Sequence, residues 1–153
     1  MRGRLVVVLL RFAGTITTIA FLAMLLPVDW MASTHRAIGL GEFPRTPVVD
    51  YLTRSIAALY GFHGVLLLLV STDIVRYRPI VSYIAILNVV FGLMVLVIDL
   101  HAGMPWFWTL WEGPSIIGFG MVLALLLRSI PPSREATAGR RSPGVSSPDG
   151  SRP

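Results

Sequence analysis

Cysteine is absent from this chain, lysine is absent, and charge of either sign is scarce, at 14% of 153 residues. The first absence excludes a disulfide framework, a thiolate nucleophile and any Cys-based zinc or iron–sulfur site. The second leaves arginine as the sole strong base, 13 times over. Scarce charge beside 54% hydrophobic residues and a mean hydropathy of +0.72 excludes the profile of an ordinary soluble domain.

What replaces them is apolar sequence in long runs, at 5–27, 52–71, 80–98 and 106–127. Each supplies about the 20 residues that a helix rising 1.5 Å per residue needs to cross a hydrocarbon layer of roughly 30 Å. The expected fold is therefore an all-α integral membrane four-helix bundle, with spans at about 5–27, 49–71, 79–99 and 105–128. The first run has the look of a secretory signal behind Arg2 and Arg4, but it is too long, is interrupted by Arg11, and lacks a small-x-small cleavage pattern, so it reads as a retained helix. A tail at 131–153, rich in Pro, Ser, Gly and Arg, is expected to be disordered and cytoplasmic.

The high pI of about 10.7 suggests nucleic acid until the arginines are located. Arg2 and Arg4 precede the first span, Arg76 and Arg78 separate the second from the third, and Arg128, Arg134, Arg140, Arg141 and Arg152 follow the fourth. The opposite loops carry Arg36 and Arg45 against Asp29, Glu42 and Asp50. This asymmetry is the positive-inside pattern of a multi-pass protein of the inner (plasma) membrane with both termini cytoplasmic. The basic charge is thus a topology signal, and no nucleic-acid partner is expected.

The first outer loop carries its own structure. Asp29 is placed to N-cap a short interfacial helix through Trp30, Met31, His35 and Ile38, which Gly39 or Gly41 ends. Thr46 before Pro47 reads as an N-cap with proline at the first helical position, so the second span begins before its apolar run. Trp106, Trp108 and Trp111 open the fourth span as an aromatic belt.

Polar groups inside the spans are costly in lipid and are the candidates for function. Helical rise places Arg54, Asp99 and Glu112 at about 27, 30 and 24 Å above the inner boundary, so they form a candidate cluster near the outer surface. The fork of Arg54 suits pairing with both acids, either as a clasp between helix ends or as an anion or proton site. Thr15, His63 and Asn88 fall at about 13 to 15 Å and form a candidate midplane polar layer. Arg11 either snorkels to the inner headgroups or heads a polar stripe with Thr15 and Thr18.

Cofactors are not expected. Of the three histidines only His63 lies at membrane depth, which leaves no paired axial ligands for haem, and His35, His101 and Glu42 lack diagnostic metal spacing. Ala57, Gly61, Gly64, Gly92, Gly120 and Ala124 offer small surfaces where helices can approach. Pro114 directly after Glu112 and Gly113 removes a donor and is expected to kink the fourth span.

Several short motifs carry a resemblance: Gly39-Leu40-Gly41 after the first span, Arg54-Ser-x-Ala-x-Leu-Tyr-Gly61 opening the second, Asp99 closing the third, and Glu112 early in the fourth. The layout over about residues 5–128 resembles small bacterial four-helix membrane proteins with a DoxX-like arrangement. The resemblance implies fold and membrane location, and it implies no reaction. No nucleophile–base pair stands out, so the expected role is a non-enzymatic structural or accessory subunit, with small-molecule, anion or proton binding or transport at the Arg54, Asp99 and Glu112 cluster as the alternative. The expected partners are the lipid bilayer and another membrane protein or a second copy of the chain.

Overall fold

A computed structural model describes residues 2–130, and the expected disordered tail lies outside the described residues. The described chain is all-helical: α1 (Arg2–Ala23), α2 (Val28–Ala37), α3 (Pro47–Val70), α4 (Arg78–Ala102) and α5 (Trp106–Arg128). Four of these, all but α2, are long and apolar enough to cross a membrane. Their polypeptide runs up and down, so α1 and α4 begin at one end, the terminal end, where α3 and α5 finish. The other end carries α2.

The helices assort as two antiparallel pairs. α1 packs along α3, α4 packs along α5, and a sparser contact between α1 and α5 joins the pairs. Glycine makes both pairings close. A Cβ on Gly64 would lie 2.7 Å from the Gly14 carbonyl oxygen, and one on Gly61 would lie 2.6 Å from the Phe21 ring. In the second pair, a Cβ on Gly92 would meet the Gly113 carbonyl oxygen at 2.9 Å, and one on Gly120 the Ala85 carbonyl oxygen at 2.6 Å. Backbones come this near because no side chain stands between them. Phe21 then closes the first seam edge-to-face on Phe62, with ring centroids 5.1 Å apart.

The common core lies toward the terminal end. Val6 and Leu10 of α1, Leu67 and Val70 of α3, Val81, Ile84 and Ala85 of α4, and Leu123 and Leu127 of α5 form one buried cluster there. Elsewhere the surface is apolar: Val8, Phe12, Leu59, Val97, Leu110 and Leu125 all project outward.

Local capping is mixed. Thr46 accepts the Val49 N–H at 3.3 Å with Pro47 opening α3, as the sequence predicts. Asp29 departs from its expected place: α2 starts two residues earlier, at Val28 behind Pro27, and Asp29 sits inside the first turn, paired with Arg45 at 2.8 Å. A carboxylate there still complements the positive helix end. Gly39 and Gly41, both at positive φ, reverse the chain after α2. Arg36 grips Glu42 across this reversal in a two-pronged contact, and its hydrogen bond and then its charge hold the Glu42 carboxyl below the ordinary carboxylate range. α5 continues through Pro114 as one helix.

Candidate functional site

At the α2 end the three candidate charges take separate partners. Arg54 donates from Nε to Asp50 one turn earlier at 2.9 Å, from Nη2 to the Leu26 carbonyl at 3.3 Å, and from Nη1 to the Met24 carbonyl. The last two are main-chain acceptors in the turn that ends α1, a helix with no basic residue in its own last turn. Arg54 therefore complements the negative end of α1 from the neighbouring helix. Among the described residues no ion pair joins Arg54 to Asp99 or Glu112. The pairing expected from their common height is not formed, because Arg54 faces α1 while both acids belong to the α4–α5 pair.

Asp99 is 5% exposed, and its Oδ2 has no hydrogen-bond partner among the described residues. It sits in the last turn of α4, where main-chain carbonyls concentrate negative potential and an acid is disfavoured. Thr109, on the facing turn of α5, is buried too, with its hydroxyl directed to the Pro105 carbonyl. Glu112 is half-buried one turn on. Trp108 donates its indole N–H to Glu112 Oε2, so this tryptophan turns inward while Trp106 and Trp111 remain exposed.

The midplane residues are dispersed. Thr15 is exposed, and Asn88 donates to the Ile84 carbonyl of its own helix at 2.8 Å. His63 is half-buried and shares no hydrogen bond with either among the described residues. Thr17 and Thr18 instead satisfy their hydroxyls on α1 itself, at the Ala13 and Gly14 carbonyls, 2.8 and 2.6 Å away. Arg11 is exposed. Near α2, His35 Nδ1 lies 3.1 Å from the Gly41 carbonyl. Among the described residues no three His, Asp or Glu side chains are grouped to hold a metal ion.

Three contributors to this geometry escaped the sequence. Gly14 gave no signal beyond being small, although it sits opposite Gly64. Trp108 and Glu112 are four residues apart, the spacing at which helix neighbours meet, so that contact was within reach of the sequence. Arg78 is the third: it donates to the Leu127 and Ile130 carbonyls and so does at the end of α5 what Arg54 does at the end of α1. No family model, curated protein or solved structure matches the chain.

Proposed function

We propose that this chain is a multi-pass integral protein of the inner (plasma) membrane, with both termini cytoplasmic, acting as a non-catalytic accessory or structural subunit. The observation that carries the membrane reading is the outward apolar surface. Only 17 to 28% of the most apolar window in each long helix is buried within the chain. A water-exposed surface of that kind is far beyond what soluble monomers carry, whereas a helix in hydrocarbon satisfies its own backbone. Arg4, Arg76, Arg78 and Arg128 gather at the terminal end, which supports the cytoplasmic orientation. α2 exposes Trp30 while burying Met31 and Ala32, which suits a helix lying at the outer interface.

Reporter fusions at the C-terminus and within residues 42–46 test the topology. They are expected to report opposite sides, with the C-terminus cytoplasmic; a periplasmic C-terminus overturns the orientation. Purification in native lipid tests the subunit role. A partner protein at fixed stoichiometry is expected, and its absence across mild extraction conditions overturns that role.

A second reading is favoured by the unpartnered Asp99 oxygen. A buried carboxylate demands a counter-charge or a donor. Arg54 is already engaged, so the complement to the Asp99 oxygen comes from outside these helices, and a small cation or a proton supplies it. Binding of a small cation, a proton included, at Asp99 and Glu112 replaces the anion alternative. Cation-dependent thermal stabilisation that disappears in Asp99→Asn and Glu112→Gln is expected; stabilisation unchanged in both variants removes this reading.

A further inference from the structure

At the terminal end a groove opens between α4 and α5, with a volume of about 170 Å³, lined by Arg78, Ser82, Ala85, Ile86, Ala124 and Arg128 among others. Its shape follows from residue size. Gly120 draws the two helices together at Ala85, and on the terminal side of that contact the small Ala124 leaves space that a larger side chain would fill. Ala85, Ile86, Ala124 and Leu127 make most of its wall, with Ser82 among them, and Ile86 is exposed. Its mouth is basic. Arg78 is fixed there by the Leu127 carbonyl at 3.0 Å and by the Ile130 carbonyl, which position the guanidinium and answer part of its charge with the negative end of α5. Arg128 is exposed, and among the described residues neither arginine has an acidic partner. Asp73, the one acid of the α3–α4 turn, accepts the Val75 and Arg76 main-chain N–H groups instead.

We infer that this groove holds an anionic phospholipid, its phosphodiester at Arg78 and Arg128 and an acyl chain along Ile86 and Ala124. The inference rests on the membrane reading above. Two guanidiniums at a groove mouth match the charge and the planar oxygen pairs of a phosphate. Basic pockets between helices at the cytoplasmic face suit anionic headgroups, and the apolar walls suit the attached chain. Free phosphate would use the mouth and leave the walls empty. A phosphatidylcholine headgroup would bring a trimethylammonium toward two arginines.

The test is made on the full chain in a neutral detergent, with dioleoylphosphatidylglycerol, dioleoylphosphatidylcholine or inorganic phosphate added, following thermal unfolding and bound lipid by native mass spectrometry. Phosphatidylglycerol is expected to remain bound and to raise the unfolding temperature, with phosphatidylcholine and phosphate doing neither. Arg128→Gln is expected to weaken phosphatidylglycerol binding about fivefold, and Ala124→Phe to block it by filling the groove. Arg76→Gln, at the same end but outside the groove, is expected to change binding little. Equal response to both lipids, equal loss in Arg76→Gln and Arg128→Gln, or a response to phosphate alone overturns the groove site. Those outcomes leave the membrane reading standing; solubility of the chain without detergent would overturn the membrane reading itself.

Discussion

Arg54 of α3 donates a hydrogen bond to the main-chain carbonyl of Met24, in the turn that closes α1. Every α-helix finishes with carbonyls that lack an intrahelical donor, and α1 brings no basic residue to that end. A neighbouring helix supplies the charge. Arg78 repeats the device at Leu127 and Ile130 of α5. Each arginine lies near the start of one helix in a packed pair and ties it to the end of the other, so the two seams are locked at opposite ends of the molecule.

Arg54→Leu is expected to destabilise the protein by about 1.5 to 3 kcal/mol, the usual range for a hydrogen bond to a charged group. Arg11→Leu, at an exposed position without such acceptors, is expected to cost much less. Arg54→Lys is expected to recover part of the loss, since an ammonium keeps the charge and loses the fork. Unfolding series in mixed detergent check the order; equal effects of Arg54→Leu and Arg11→Leu would remove the capping role.

Glycine positions separate by what surrounds them. Gly64→Ala pushes a methyl against the Thr18 main-chain nitrogen and hydroxyl and to 2.7 Å from the Gly14 carbonyl oxygen, so backbone has to shift, and is expected to cost about 1 to 3 kcal/mol. Gly118→Ala meets nothing within 4 Å and is expected to stabilise by about 0.5 to 1 kcal/mol through helix propensity. Thermal unfolding of the two variants side by side is the measurement.

Asp99→Asn replaces a buried carboxyl whose Oδ2 is unpartnered and is expected to leave the unfolding free energy within about 1 kcal/mol of the parent, or above it, when no cation is added. A large loss in detergent unfolding would mean that the carboxylate has a structural partner within the chain. Glu112→Gln keeps an acceptor for the Trp108 indole and is expected to be equally mild.

His63 and Asn88 are expected to behave independently. Asn88 already spends its amide on the Ile84 carbonyl, so a double-mutant cycle with leucine at both positions should return a coupling energy below about 0.5 kcal/mol. A larger coupling would restore the midplane layer that their common height suggests.

Some of this structure needed no tertiary information. The lengths of the four long helices follow from hydropathy, the start of α3 from Thr46 and Pro47, and the reversal after α2 from Gly39 and Gly41, because each depends on residues within a turn or two of one another. Asp29 marks the limit of local signals. Either side of a helix start accommodates an acid, and here Asp29 lies inside the first turn, where it also meets Arg45, sixteen positions away. The candidate sites needed more. Helical rise gives an expected height along the bundle, but it says nothing about azimuth or about which helices are neighbours. The glycine seams at Gly14–Gly64 and Gly92–Gly113 decided both: they placed α3 against α1, turned Arg54 to the end of α1, and left Asp99 and Glu112 together in the other pair. Sequence by itself determined that four long apolar helices form and roughly where they lie, while their ends moved by up to four residues, α1 closing at Ala23 rather than 27. Only the packing of backbone on backbone determined which charges meet.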